Sequence, residues 1–240
     1  MSGNRQDLFI EKRVSKCYDE LIMDKPPKMV QDAFNESSLE IFEGDLESRM
    51  GKLVSWIDAR VKMKHWSNEE IVAKFTKRDA KTILIDGDIG FMNSCSDLTL
   101  VALALLKKNG FKPILVVEKL KQKKYDFVRM HFVLEFFDKD VLYFLEFIQG
   151  NQVLLRKGEY PARHNEEIET LKIQRIENNI RFDQNMQSVL EEAKFDLSDF
   201  HLEKVVAQLQ KDNTPETYAN YISKLSHGGN LYLDSNIKTG

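Results

Sequence analysis

The chain has 240 residues, 42% of them hydrophobic and 30% charged, with a formal net charge of −3. That balance fills a core and excludes wholesale disorder, and the length suits one domain with an appendage or two small ones. A chain this near neutrality, with no long basic block, is not built to bind a nucleic-acid backbone, and no run of about 18 apolar residues is present to cross a membrane.

The first residues, Met1-Ser2-Gly3-Asn4-Arg5-Gln6-Asp7, lack the apolar stretch of a signal peptide. There are two cysteines, Cys17 and Cys95, whereas a secreted domain of this size often carries more, in pairs. A reducing, cytoplasmic setting is expected, in which a thiol survives as a nucleophile.

Residues 5–24 read as a polar helix with Leu8, Ile10, Val14, Leu21 and Ile22 as its apolar positions, ended by Pro26-Pro27. Cys17 sits in the middle of it, between Lys16 and Tyr18, and reads as structural. Residues 28–48 are mixed and partly helical. Leu53, Val54, Ile57 and Val61 follow helical spacing and predict an amphipathic helix over 50–64. Ser67 followed by Glu70 is a capping-box pattern that starts another short helix. Asp86-Gly87-Asp88-Ile89-Gly90 superficially suggests a metal or phosphate loop. It lacks the following Lys-Ser/Thr and the acid pattern of such loops, and reads as a turn.

Residues 94–109 give the clearest helix. Ser94-Cys95-Ser96-Asp97 matches a capping pattern, Leu98 to Leu106 is apolar almost all round, and Gly110 and Pro113 stop the helix. It is expected to be buried. Strands follow at 114–117, 127–137, 141–148 and 152–156, with one or two more in 168–183. The basic stretch Lys119 to Lys124, diluted by Glu118 and Asp126, reads as a solvated loop. From Gln184 the pattern is helical again, with Pro215 at a helix start, and from Gly228 the chain reads as irregular. The order predicts an α+β fold, a buried helix packed on an antiparallel sheet. The expected division is an N-terminal helical extension at 1–48, a core at 49–183 and a C-terminal helical segment at 184–240.

Cys95 falls on the first turn of the buried helix. Unpaired N–H groups and the positive end of the helix dipole favour a thiolate there. Asp97 opposes it unless its carboxylate turns away to cap Ser94. A small buried hydrophobe is the plain alternative for such a cysteine. His131 lies in a strand whose alternation puts His131, Val133 and Glu135 on one face and Met130, Phe132 and Leu134 on the core face. If Asp138-Lys139 is a two-residue hairpin loop, Phe137 pairs with Asp140 and His131 pairs with Glu146. Directly opposed side chains share a face. Glu146 then orients one ring nitrogen and the other takes a proton from the thiol, the logic of a nucleophile–base–acid triad. Glu135 and Asp140 are the other acids placed to orient the ring.

These residues resemble the transglutaminase-like superfamily, a papain-related group with a cysteine nucleophile. The resemblance is carried by Ala80-Lys81-Thr82-Ile83-Leu84, Gly90, Cys95-Ser96-Asp97-Leu98, Leu105 to Phe111, His131 and Glu146, with Lys52 to Lys64 matching the helix that precedes the cysteine. It covers about residues 50–148, somewhat under half of the chain. Asn93 and Ser94 stand where a glycine is usual, Val133 where an aromatic commonly follows the histidine, and Glu146 where the acid is most often aspartate. The resemblance implies a papain/transglutaminase-like core at 49–183. It also implies a Cys95, His131 and Glu146 centre that transfers the acyl group of an amide or peptide through a thioacyl intermediate. The N–H of Cys95 is a candidate oxyanion donor, and Trp56, Trp66 and Asn93 are candidates for a second, although the two tryptophans read better as core.

The expected substrate is a peptide or protein, with no cofactor. No acetyl-cofactor feature marks an arylamine acetyltransferase-like enzyme, and His65, His131, His164, His201 and His227 have no metal-ligand spacing. The competing reading is a non-catalytic relative that serves as a protein-binding or scaffold module. It expects a misaligned site and points to the helical segment 184–227 as the surface of interest.

Overall fold

A computed structural model describes residues 44–234, apart from 92–93, 150–151, 178–179 and 225–230. The helix expected over 5–24, Cys17 and most of 28–48 lie outside the described residues. Helix α1, Leu46–Arg60, begins where the Asp45 carboxylate accepts a hydrogen bond from the Ser48 N–H. It stops short of the expected 64 because Val61 is extended, and Lys62–Lys64 (β1) pairs in parallel with Asp88–Gly90 (β2). Between them lie α2, Asn68–Lys74, which has the full capping box of Ser67 and Glu70, and α3, Ala80–Asp86. Gly87 closes α3 in the left-handed region at φ 64°. The stretch 86–90 is therefore a turn only as far as Gly87; its second half is a strand.

Helix α4, Ser94–Lys108, is buried along Leu98 to Leu106, as its apolar run requires. Strands β3 (Ile114–Gln122), β4 (Val128–Asp138), β5 (Val141–Gln149), β6 (Gln152–Lys157) and β7 (Ile168–Ile176) form an antiparallel sheet in the order β7-β3-β4-β5-β6. Helices α5 (Met186–Glu192), α6 (Leu202–Asp212) and α7 (Pro215–Lys224) come next. The 231–234 segment, read from sequence as irregular, is a strand, β8, Leu231–Asp234, parallel to β6 at the sheet edge. The architecture is mixed α+β.

Both faces of the sheet are covered. Leu115, Val117, Phe132, Leu134, Leu145 and Phe147 share one core with α4. Val116, Val133, Phe144 and Leu154 form a second, smaller core with Tyr160 from the segment after β6. The alternation of single strands places each residue on its face; the segment after β6 turns the second face from a surface into an interior.

The basic stretch departs from expectation. β3 continues through it to Gln122 because β4 and β7 flank both its edges and take up its backbone groups. Lys119 is only 2% exposed, with its Nζ 3.4 Å from Asp196 and 3.7 Å from Asp199.

Candidate active site

The site gathers at one end of α4 and β4. Cys95 is the second residue of α4 and is half-buried. Its backbone N–H belongs to the first turn, where no helix carbonyl is available to accept it. The rest of α4 is locked in the core, so the position of the sulfur is set by packing. His131 lies near the start of β4 and is largely buried.

The structure brings Cys95, His131 and Glu146 together. His131 Nε2 lies 2.8 Å from Glu146 Oε1. Cys95 lies close enough to the same ring to favour its protonated form. With Nε2 engaged, the nitrogen left for the thiol is Nδ1. Burial alone would lower the His131 pKa, but the interactions with Cys95 and Glu146 outweigh it and hold it up at about 9. The ring therefore sits between a sulfur and a carboxylate that both favour its protonated form. Glu146 stays ionised despite burial because His131 and Arg163 lower its pKa.

The route to this contact differs from the expected one. The hairpin loop is Lys139-Asp140, both at positive φ (48° and 63°), as a primed two-residue turn needs. Asp138 pairs with Val141, and the residue opposite Glu146 is Val133. His131 reaches Glu146 diagonally. Of the other two acids considered, Asp140 is exposed at the hairpin tip. Glu135 is engaged by Arg175 at 2.7 Å and by the Tyr160 N–H at 2.7 Å.

Asp97 does not weigh on the sulfur as a bare charge. It is 1% exposed, and its Oδ2 accepts from Arg78 Nη2 at 2.5 Å. Burial pushes its pKa up to about 6 against the pull of Arg78. Arg78 also binds Asp86 at 2.8 Å and Asp88 at 3.2 Å. Asp88 in turn accepts from Trp66 Nε1 at 3.1 Å. That bond occupies the donor that would make Trp66 part of an oxyanion hole. Trp56 is core, 4% exposed, and Asn93 lies outside the described residues.

Sequence reasoning missed Arg163, Tyr160 and Glu118. Arg163 donates to the Glu146 oxygen that also serves His131, and its Nε is 3.5 Å from Glu118. The Tyr160 hydroxyl donates to Glu118 at 2.6 Å, and Thr170 Oγ1 donates to the other oxygen of the same carboxylate. Burial, with Glu146 and Glu118 nearby, raises the Tyr160 pKa and keeps the phenol protonated. No periodicity marks these residues, since Tyr160 and Arg163 lie in an irregular segment.

His164 and His201 are exposed. Among the described residues no group of three or more His, Cys, Asp or Glu side chains is placed to hold a metal, and no helix is long and apolar enough to cross a membrane. No protein-family model matches this chain and no curated protein matches it.

Proposed function

We propose that this protein is a transglutaminase-like cysteine hydrolase or acyltransferase with a papain-related core, acting on amide or peptide bonds. The reading is supported by the arrangement of its parts: a cysteine on the first turn of a buried helix, a histidine on the second strand after it, and an acid on the next strand. The observation that carries it is a single imidazole ring held by Glu146 at 2.8 Å through Nε2, with Cys95 near enough to raise the pKa of the same ring.

In the proposed reaction the reacting form of the pair has the Cys95 proton transferred to His131. The thiolate attacks the amide carbonyl carbon and a C–S bond forms. The negative charge moves to the carbonyl oxygen, near the backbone N–H of Cys95. The imidazolium gives its proton to the amide nitrogen, the C–N bond breaks, and the amine leaves. His131, now neutral, takes a proton from water or an acceptor amine as that group attacks the thioester. The acyl group departs and the thiolate–imidazolium pair returns. Glu146 keeps the ring in one orientation throughout.

The test is alkylation with iodoacetamide near neutral pH, followed by peptide mass spectrometry. Preferential modification of Cys95 over Cys17, lost in His131→Ala, is expected. Slow and equal labelling of both cysteines sinks the proposal.

A further inference from the structure

The 158–167 segment between β6 and β7 packs on the second face of the sheet and is tied to it at several points. The Gly158 N–H donates to the Leu142 carbonyl at 2.8 Å, and the Tyr160 N–H donates to Glu135 Oε1 at 2.7 Å. The Arg163 N–H donates to Thr170 Oγ1 at 2.6 Å, and the Thr170 N–H donates to the Arg163 carbonyl at 2.8 Å. The backbone of Arg163 is therefore fixed against β7, and its guanidinium lies between two buried carboxylates. Nη2 donates to Glu146 Oε1, and Nε is 3.5 Å from Glu118 Oε2. Glu118 is held by Tyr160 and Thr170 as well. The cations that lower the Glu146 pKa are His131 and Arg163.

Glu146 reaches the ring diagonally, with a long side chain whose rotamers the strand does not fix. Arg163 grips the same oxygen from a second direction. Its charge matters as much as its grip. When His131 gives up its proton, Glu146 loses one of these cations. A buried carboxylate beside a neutral imidazole is then driven to take a proton itself. A guanidinium does not deprotonate in a protein, so Arg163 keeps its charge through every step.

We infer that Arg163 is a positioning residue of the reaction: it holds the Glu146 carboxylate ionised and on the His131 ring, so that the proton exchanged with Cys95 stays on the imidazole. The inference rests on the proposed function, which makes His131 the proton carrier.

The test is the pH profile of Cys95 alkylation by iodoacetamide in the full chain. Arg163→Gln keeps N–H donors and loses the charge. Its rate at neutral pH is expected to fall about tenfold, with the rise of the profile displaced towards alkali by about one pH unit. The Glu146 carboxyl carbon, followed by NMR, is expected to titrate at higher pH than in the wild type. Arg163→Lys, which restores the charge, is expected to bring both most of the way back. An unshifted profile in Arg163→Gln overturns the inference. So does an equal fall at every pH that Arg163→Lys shares, which marks a merely structural ion pair. A faster Arg163→Gln protein overturns it too, since the guanidinium would then only compete with the ring for the shared oxygen. Should Arg163→Gln not fold, the double variant Glu118→Gln and Arg163→Gln, which removes a buried countercharge together with the guanidinium, is read in the same way. In all these cases the proposed function stands if wild-type labelling of Cys95 depends on His131. If it does not, the proposed function falls and takes this inference with it.

Discussion

His131 and Glu146 are diagonal neighbours across the β4–β5 ladder, bonded at 2.8 Å although Val133 is the residue opposite Glu146. Diagonal Cβ atoms lie ~7–8 Å apart, within reach of long side chains, and glutamate has one methylene more than aspartate with which to cross that gap. This gives a physical reason for Glu rather than Asp at this position.

Replacing Glu146 tests that geometry. Glu146→Gln keeps the length but removes the charge that helps hold the imidazolium. The His131 pKa is expected to fall below about 9, read from the ring protons by NMR titration. The Cys95 alkylation rate at pH 7 is expected to drop by about tenfold or more. Glu146→Asp, one methylene shorter, is expected to lose the hydrogen bond and behave like the glutamine variant. An unchanged His131 titration in both would show that Glu146 does not support the ring.

The pH dependence of stability has a definite sign. His131 binds its proton more tightly folded (about 9) than at its ordinary 6.5. Its contribution is fully present below pH 6.5 and is lost as the pH rises through 9, up to about 3 kcal/mol. Asp97, raised from 3.8 to about 6, gives a fall of the same sign between those values. Glu146 and Asp88, both lowered, oppose it by losing stability as the pH drops through their own range. The melting temperature should therefore fall from pH 6.5 to 9 in the wild type and stay flatter over that window in His131→Gln. Equal slopes would remove His131 as the cause.

Arg78 is the countercharge of a buried cluster. It is 5% exposed and bonds Asp86, Asp88 and Asp97. Arg78→Leu leaves Asp97 and Asp88 short of a partner in the interior, and a loss of about 3–5 kcal/mol is expected, measured by urea unfolding. A loss below about 1 kcal/mol would mean that water or a rearranged lysine replaces it.

Gly90 is a packing constraint. A Cβ there would stand 2.6 Å from the ring of Trp66, itself 1% exposed and held by Asp88. Gly90→Ala is expected to cost about 1–3 kcal/mol by overpacking and to shift the Trp66 fluorescence. A neutral result would show that the ring can move, against the hydrogen bond that pins it.

Sequence alone determined the buried helix, the central strands and their parity, but not the short strands at 62–64, 88–90 and 231–234. An apolar run opened by Ser94-Cys95-Ser96-Asp97 and stopped at Gly110 could only be a buried helix with a thiol at its tip, because helix ends and burial are local properties. The face of each strand residue was equally local. This is why Glu146 was legible as the partner of His131 even with the register misjudged. Sliding a two-residue loop by one position, from Asp138-Lys139 to Lys139-Asp140, shifts the pairing by two, and two is the period of a strand. What only the tertiary structure decided came from distant segments. These were the Arg163 and Tyr160 contacts that close over Glu146 and Glu118, the pairing of Asp97 with Arg78, the burial of Lys119 under Asp196, and the edge strand at Leu231–Asp234. Each depends on where the chain returns in space, and an ion pair or an edge strand leaves no periodic trace in the residues that will form it.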